Sequence, residues 1–158
     1  MAEWQKKGHW LPMSKAGSWF FSKTMRHFDR FVFRLTGGKV MLTEFFTGVP
    51  SIMVTARGAK SGELRTSPLL GIPDGENWIV IASNWGQKHH PAWYYNLKTH
   101  PEVTVAYHGQ SRTMAARMVT GEEREACWQK ALTYYKVYYV YKARAGREIP
   151  VFRVEGKG

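Results

Sequence analysis

Apolar side chains recur every three or four residues near the start of the chain, at Phe21, Met25, Phe28, Val32 and Leu35. This spacing places them on one face of an α-helix, and basic residues occupy the other side. Ser14 is the candidate N-cap, and the glycines at 37 and 38 end the helix. Such a helix can bind an anionic membrane surface or pack on the rest of the domain, and the sequence leaves both interpretations open.

Beyond residue 40 the pattern changes to short runs rich in Val, Ile, Thr and Leu, bounded by glycine and proline. These runs predict strands over residues 40–46, 51–56, 65–72, 78–82, 102–107, 111–119 and 151–154. Turn signals at Asp74-Gly75 and His108-Gly109-Gln110 predict two hairpins.

Three helices are predicted among the strands. The first covers residues 91–97 with Pro91 in its first turn, the second covers 121–133, and the third covers 134–144. Thr120 and Glu123 form a candidate capping box for the second. Because tight turns rather than helices connect most strands, the pattern favours an antiparallel sheet or closed barrel with appended helices over a parallel α/β sheet.

Composition narrows the classes of function. The 158 residues fit one domain, and 44% of them are hydrophobic, enough for a core. The single cysteine, Cys127, excludes an intramolecular disulfide and, in its helical context, predicts a buried thiol that suits a reducing cytoplasm. There is no apolar run long enough to span a bilayer, no signal-peptide pattern and no zinc-type spacing of histidines, so no metal is expected.

The formal net charge of +11 predicts an anionic partner: nucleic acid, anionic lipid or a phosphorylated cofactor. No nucleic acid is expected, because helix-turn-helix, RRM and zinc-finger signatures are absent. The candidate anion site is the turn in which Gly58 and Gly62 bracket Lys60 and Ser61 between two predicted strands. Glycines expose backbone N–H groups, and cations there suit phosphate or carboxylates. A solvated basic hairpin turn explains the same residues equally well.

Two further segments carry candidate chemistry. Small residues end the strand at Ala82-Ser83 and would let a flat ring approach, although Trp93 on the following helix also fits a core position. Tyr135, Tyr138 and Tyr141 step by three and so share a helix face. They suit either an aromatic ligand or a core stripe.

Taken in order, these motifs resemble the F420-dependent (deazaflavin-dependent) nitroreductase family, a branch of the split β-barrel flavin and deazaflavin oxidoreductases. The matching pattern is Gly58-x-Lys60-Ser61-Gly62-x-x-Arg65-Thr66-x-Pro68-Leu69, then Ala82-Ser83-Asn84, His90-Pro91-Ala92-Trp93-Tyr94-x-Asn96-Leu97, His100-Pro101-Glu102-Val103-Thr104-Val105 and Arg147-Glu148-Ile149-Pro150-Val151. It covers roughly the last three quarters of the chain.

The resemblance implies an α+β fold: a split β-barrel of the FMN-binding type, with antiparallel strands, appended helices and the N-terminal amphipathic helix. Residues 1–36 would form the arm and basic helix, and residues 37–158 the deazaflavin-binding domain. The implied activity is transfer of a hydride from reduced coenzyme F420 to quinones, nitro compounds or activated alkenes. An FMN-binding oxidoreductase and a non-enzymatic module for anionic lipid stay open as alternatives.

The resemblance also implies site residues. Cofactor-binding positions are Ala59, Lys60, Ser61, Arg65, Thr66, Ser67, Pro68, Leu69, Leu70, Ile81, Ala82, Ser83, Asn84, Ala92, Trp93, Tyr94, Tyr95, Asn96 and Tyr138. Lys60, Ser61 and Arg65 would hold the phosphate and glutamate tail. Tyr135, Tyr138 and Tyr141 would shape the substrate pocket, and Ser83 and Tyr138 would act as the catalytic hydrogen-bond donors.

One position departs from the family pattern. Ala59 stands where family members usually carry Arg, and Arg57 is the candidate to restore that charge. The implied partners are a small acceptor such as a quinone, a membrane surface contacted peripherally through residues 14–36, and a second copy of the chain in a homodimer. The expected location is the cytoplasm, including the inner face of the cell membrane.

Overall fold

The computed structural model describes residues 47–157 together with Trp19, Thr24, His27, Phe28, Phe31 and Glu44. The predicted N-terminal helix and the boundary after residue 36 otherwise lie outside the described residues. The strand predicted over 40–46 is wrong at Glu44, which is helical, as is Thr47. The Gly48 N–H donates to the Glu44 carbonyl at 2.9 Å, and Gly48 has a φ of 69°, the left-handed conformation that ends helices.

Seven strands form one antiparallel sheet. They are β1 (Ser51–Arg57), β2 (Leu64–Leu70), β3 (Ile72–Asp74), β4 (Asn77–Ile81), β5 (Glu102–Tyr107), β6 (Gln110–Met118) and β7 (Val151–Gly156). Their order across the sheet is β2-β1-β5-β6-β7-β4-β3. The strands predicted from residue 51 onward and both hairpins are confirmed, except that the run over 65–72 is broken into β2 and β3.

The break at Gly71 closes the sheet. The two edge strands, β2 and β3, are separated by this one residue, so the sheet must curl until its edges meet there. A Cβ on Gly71 would lie 2.8 Å from Trp78 Cε3 and 3.0 Å from Ile52 Cγ2, so only glycine allows the strands to approach this closely. The result is the predicted split-barrel architecture, a curled half-barrel with helices attached.

The three helices are α1 (Ala92–Thr99), α2 (Gly121–Tyr134) and α3 (Val137–Ala145), close to the predicted ranges. The predicted capping box is wrong, because Thr120 makes no side-chain cap bond. Instead, the Glu123 carboxylate accepts hydrogen bonds from Arg117 at 2.7 and 3.0 Å and from Arg153 at 3.3 Å. These charge-assisted bonds to β6 and β7 replace the local cap.

Two apolar clusters lie on opposite faces of the sheet. Alternation along β4 shows the division: Val80 belongs to one cluster, and Ile79 and Ile81 to the other. The first cluster is filled by β1, β5, β6 and β7 and by Tyr94 and Leu97 of α1. The second is covered by α2 and α3. The end of β4 therefore lies between α1 on one side and α3 on the other.

Candidate functional site

The turn between β1 and β2 has the conformation that its glycines predict. The Gly58 N–H donates to the Glu63 carbonyl at 2.7 Å, and the Gly62 N–H donates to the Gly58 carbonyl at 2.9 Å. Gly62 has a φ of 71°. Lys60 and Ser61 are both exposed at its tip. The turn is therefore tightly closed by its own backbone and presents its lysine and hydroxyl outward.

Two arginines flank this turn and have different partners. Arg57 Nη1 donates to the Gly62 carbonyl at 2.8 Å, so its charge reaches the turn although position 59 is alanine. Arg65 forms an ion pair with Glu63 at 3.3 Å, with both side chains largely exposed. An exposed pair of this kind contributes little stability. Arg65 can consequently exchange Glu63 for another anion at low cost.

A hydrogen bond joins the turn to α1. The Ala59 N–H donates to Asn96 Oδ1 at 2.9 Å, across 37 positions of sequence. Two of the sequence-predicted segments are thereby in direct contact. This bond fixes the turn against the helix that also carries Trp93 and Tyr94.

Strand β2 lies at the sheet edge with residues 66–70 all half-buried. Adjacent side chains face opposite sides, since Leu69 packs on the first cluster and Leu70 on the second. The Gly58–Glu63 and Gly71–Pro50 backbone bonds fix which residues pair with β1. By alternation, the backbone groups of Thr66, Pro68 and Leu70 point away from β1, towards the edge of the described sheet. Residues 66–70 therefore have in common their position on the edge strand of the sheet.

The chain after β4 is buried and then sharply bent. Ala82 and Ser83 are 0% and 7% exposed. The next three residues have left-handed backbones, with φ of 47° at Asn84, 58° at Trp85 and 77° at Gly86. For the two residues with side chains, this conformation costs roughly 1–2 kcal/mol each. Backbone held in such a conformation is typical of functional sites, where surrounding contacts maintain it.

The start of α1 is aromatic and packed. The His90 ring stacks on Tyr94, with 4.2 Å between centroids, and Trp93 meets Phe152 edge-on at 5.9 Å. Tyr94 is buried, whereas Tyr95 is 49% exposed and Ala92 is exposed. Burial within this site lowers the pKa of His90, with the charges of Arg147 and Lys98 acting in the same direction. The imidazole is therefore neutral near pH 7.

The three tyrosines form one buried cluster, with exposures of 0%, 2% and 2% for Tyr135, Tyr138 and Tyr141. Tyr135 lies between α2 and α3 rather than on α3, so the shared face arises from the bend and not from one helix. Burial raises the pKa of Tyr138 far above its ordinary value, which keeps its phenol protonated as a hydrogen-bond donor. Trp85 contacts Tyr141 edge-on at 6.1 Å, which joins this cluster to the bend after Ser83.

Arg147 is a site residue to which the sequence interpretation assigned no role. It follows Gly146, whose φ of 61° ends α3, and its guanidinium contacts the segment over residues 82–90. Burial lowers its pKa from the ordinary value, yet arginine stays charged at any physiological pH. The only available signal was its place in the last matching motif, since the contacts span 57 to 65 positions of sequence.

Other chemistries lack support in the described part of the chain. No group of three or more His, Cys, Asp or Glu side chains there could hold a metal ion. Cys127 is buried, as predicted, and burial raises the pKa of its thiol, which disfavours the thiolate. Among the described helices, none combines the length and apolarity needed to cross a membrane.

The family model for F420H(2)-dependent quinone reductase matches residues 24–156. A Mycobacterium tuberculosis protein with the provisional name F420H(2)-dependent quinone reductase is 33% identical over 103 residues, covering 65% of this chain and 87% of its own.

Two solved structures are also similar, each with 38% identity, a TM-score of 0.63 and coverage of 67% of this chain. One is an F420-H2 dependent reductase, 94% of which is covered, and the other is described as a domain-swapped dimer, 80% of which is covered. The expected family is confirmed: the chain belongs to the F420H(2)-dependent quinone reductases.

Proposed function

We propose that this chain binds reduced coenzyme F420 between the cationic turn, the edge of β2 and α1, and reduces a quinone there. The observation that carries the proposal is the hydrogen bond from Ala59 to Asn96, which joins the glycine-bracketed turn to the helix. The cationic turn, the β2 strand that follows it and the aromatic helix α1 are therefore adjacent. A ligand with an anionic tail and a flat ring fits that combination better than an anionic lipid headgroup, which offers no ring.

The residues at the turn suit the anionic end of the cofactor. Lys60 and Ser61 are exposed at its tip, and Arg65 is held only by an exposed ion pair. Phosphate and carboxylates accept charge-assisted hydrogen bonds from such groups. Several anionic groups in one tail also account for an excess of cations better than the single phosphate of FMN does.

In this proposal the ring lies against residues 66–70, 81–84 and 92–96. Strand β2 lies at an edge of the sheet, and the small buried residues Ala82 and Ser83 would let a flat ring approach. Tyr95 and Ala92 are both exposed and would contact the ring from α1. Ile81, one of the positions predicted from the sequence, is buried in the second cluster and would support the ring site without contacting solvent.

Reduced F420 supplies the hydride when bound; the chain supplies binding, orientation and hydrogen-bond donors. Ser83 is well placed for the donor role, because it is 93% buried and its hydroxyl makes no hydrogen bond to the other described residues. Tyr138 is protonated but 2% exposed, so it can act only on an acceptor that lies against the tyrosine cluster. Both would stabilise the oxygen that gains charge.

The test is a paired titration of the purified protein with reduced F420 and with FMN, followed by addition of menadione. We expect reduced F420 to bind, and the absorbance of the reduced cofactor to decay only when quinone is present. Lys60→Ala combined with Arg65→Ala should weaken binding by about tenfold, the loss of one or two charge-assisted contacts. The matched control is Arg112→Ala, which removes an exposed arginine bonded to the Glu76 carbonyl in another turn.

An unchanged dissociation constant in the double variant would reject the assignment of the turn. Failure of the wild-type protein to bind or oxidise reduced F420 would reject the proposed activity itself. Preferential binding of FMN would establish the alternative cofactor.

Two partners belong to the same proposal. Trp19, Phe28 and Phe31 are helical and 50–65% exposed, which supports peripheral contact with anionic lipid through residues 14–36. Sedimentation with phosphatidylserine vesicles tests this contact, and a protein that stays in the supernatant at low salt contradicts it. The similar domain-swapped dimer supports a homodimer, which light scattering of the purified protein would reveal as twice the chain mass.

A further inference from the structure

Arg147 makes several hydrogen bonds to the segment that follows β4. Its Nη2 donates to the carbonyls of Ala82 and Ser83, each at 3.3 Å, and to that of His89 at 3.2 Å. Its Nε donates to the Gln87 carbonyl at 3.2 Å. One guanidinium thus donates hydrogen bonds to four carbonyls, two before the bend and two after it.

No carboxylate of the described residues forms an ion pair with Arg147. Its charge is therefore balanced there by carbonyl dipoles and by a histidine ring. A rigid planar fork with five N–H groups can serve this many acceptors when carbonyls on Nη2 share a hydrogen, and the single ammonium of lysine cannot. These hydrogen bonds therefore require the guanidinium of arginine, and a positive charge alone would not make them.

These bonds hold a backbone that would otherwise relax. The left-handed residues Asn84, Trp85 and Gly86 lie between the carbonyls that Arg147 binds at Ser83 and at Gln87. The Ser83 carbonyl accepts from both the Gly86 N–H at 2.9 Å and Arg147. With its carbonyl held from two sides, the Ser83 backbone is restrained, which sets the place from which its side chain projects.

The same guanidinium selects a tautomer of His90. Arg147 Nη1 lies 3.1 Å from His90 Nδ1. Arginine carries only donors, so Nδ1 must be the acceptor and the ring proton must be on Nε2. Stacking on Tyr94 fixes the plane of the ring. Nε2–H is thereby presented as a donor of fixed direction at the start of α1.

We propose that Arg147 is a positioning residue: it holds the bend after Ser83 and fixes His90 as the Nε2–H tautomer, so that both donors are preset at the cofactor site. The catalytic part of this inference rests on the proposed function. The tautomer part does not, because it concerns the protein without cofactor. In this proposal Arg147 acts through Ser83 and His90 and not on the ring or the acceptor.

The first experiment measures the ¹⁵N shifts of the histidine rings in the wild-type protein at neutral pH, with His90 assigned by its disappearance in His90→Gln. We expect a protonated Nε2 and an unprotonated Nδ1. The same measurement on Arg147→Lys should show a mixture of tautomers, since the fork that fixed Nδ1 is gone. Arg112→Lys, the same chemical change at an arginine bonded to another carbonyl, should leave His90 unchanged.

The second experiment measures reduction of menadione by reduced F420. Arg147→Lys should lower kcat by about tenfold or more, because misplacement of donors near the reacting atoms is costly, and KM should change less. Added guanidinium ion should restore part of the activity of Arg147→Ala. Purely structural damage would instead reduce the folded fraction without changing kcat per folded molecule.

A wild-type His90 protonated on Nδ1 would overturn the proposal, even if no variant folds. So would an Arg147→Lys protein with wild-type tautomer and kcat. If the tautomer is as expected but reduced F420 is not oxidised, the proposed function fails while the tautomer assignment stands.

Discussion

If the turn binds the anionic end of the cofactor as proposed, Glu63 competes with the cofactor for Arg65, and its replacement should tighten binding. The Glu63 carboxylate lies 3.3 Å from Arg65 Nη2, and the side chains are 73% and 58% exposed. Removing an acid beside an anion site relieves repulsion and frees the arginine. Exposed pairs are worth about 0.2–1 kcal/mol, so Glu63→Gln should lower the dissociation constant of F420 by about 1.4- to fivefold. Folding stability should be nearly unchanged, for the same reason.

The assay is fluorescence titration of Glu63→Gln and wild-type protein with F420 at two salt concentrations. The gain should be larger at low salt, where charges on the surface are screened least. Glu125→Gln on α2 is the control, since this exposed acid accepts a hydrogen bond from Gln129 in its own helix. Equal affinities, or weaker binding by Glu63→Gln, would refute the reasoning that the turn holds the anionic end.

Three further predictions follow from the fold and the site. Gly71→Ala should destabilise the protein by about 1–3 kcal/mol in urea unfolding, because the new Cβ meets Trp78 at 2.8 Å; an unchanged midpoint contradicts the tight barrel closure. Hydrogen bonds from Arg117 lower the pKa of Glu123 from 4.5 to about 2, so this carboxylate stabilises the fold above its unfolded pKa and loses that effect as the pH falls from 4.5 towards 2. Glu123→Gln should therefore show a flatter decline of unfolding free energy over that range, and an equally steep decline would contradict it. Tyr138→Phe should keep cofactor affinity and lower kcat by about tenfold through loss of its hydroxyl, and an unchanged kcat would remove Tyr138 from the donors.

Local sequence predicts the elements well where the signal is local. The strands from residue 51 onward have β-branched side chains between glycine and proline, and their hairpin turns carry Asp-Gly and His-Gly. Gly71 also breaks its predicted strand, but its importance depends on Trp78 and Ile52, which reach it only in the closed sheet. Barrel closure is a tertiary property that no run of residues displays.

Failures of prediction share a physical cause, which is competition from distant groups. Thr120 and Glu123 have the spacing of a capping box, yet Arg153 and Arg117 bind the glutamate more strongly than a backbone N–H would. Arg147 looks like an ordinary surface arginine in sequence because all but one of its partners lie 57 to 65 positions earlier. Composition and spacing give the chemistry available to a chain, whereas such long-range contacts decide where it is used.

The most direct test of the account follows backbone amides by NMR while F420 is added to the ¹⁵N-labelled protein. We expect the largest shifts on Gly58, Lys60, Ser61 and Gly62, with a second group along β2 and after Ile81. Both groups should saturate at one dissociation constant. If the amides of the turn stay unperturbed while the protein binds F420, the anionic end is held elsewhere and the central claim is wrong.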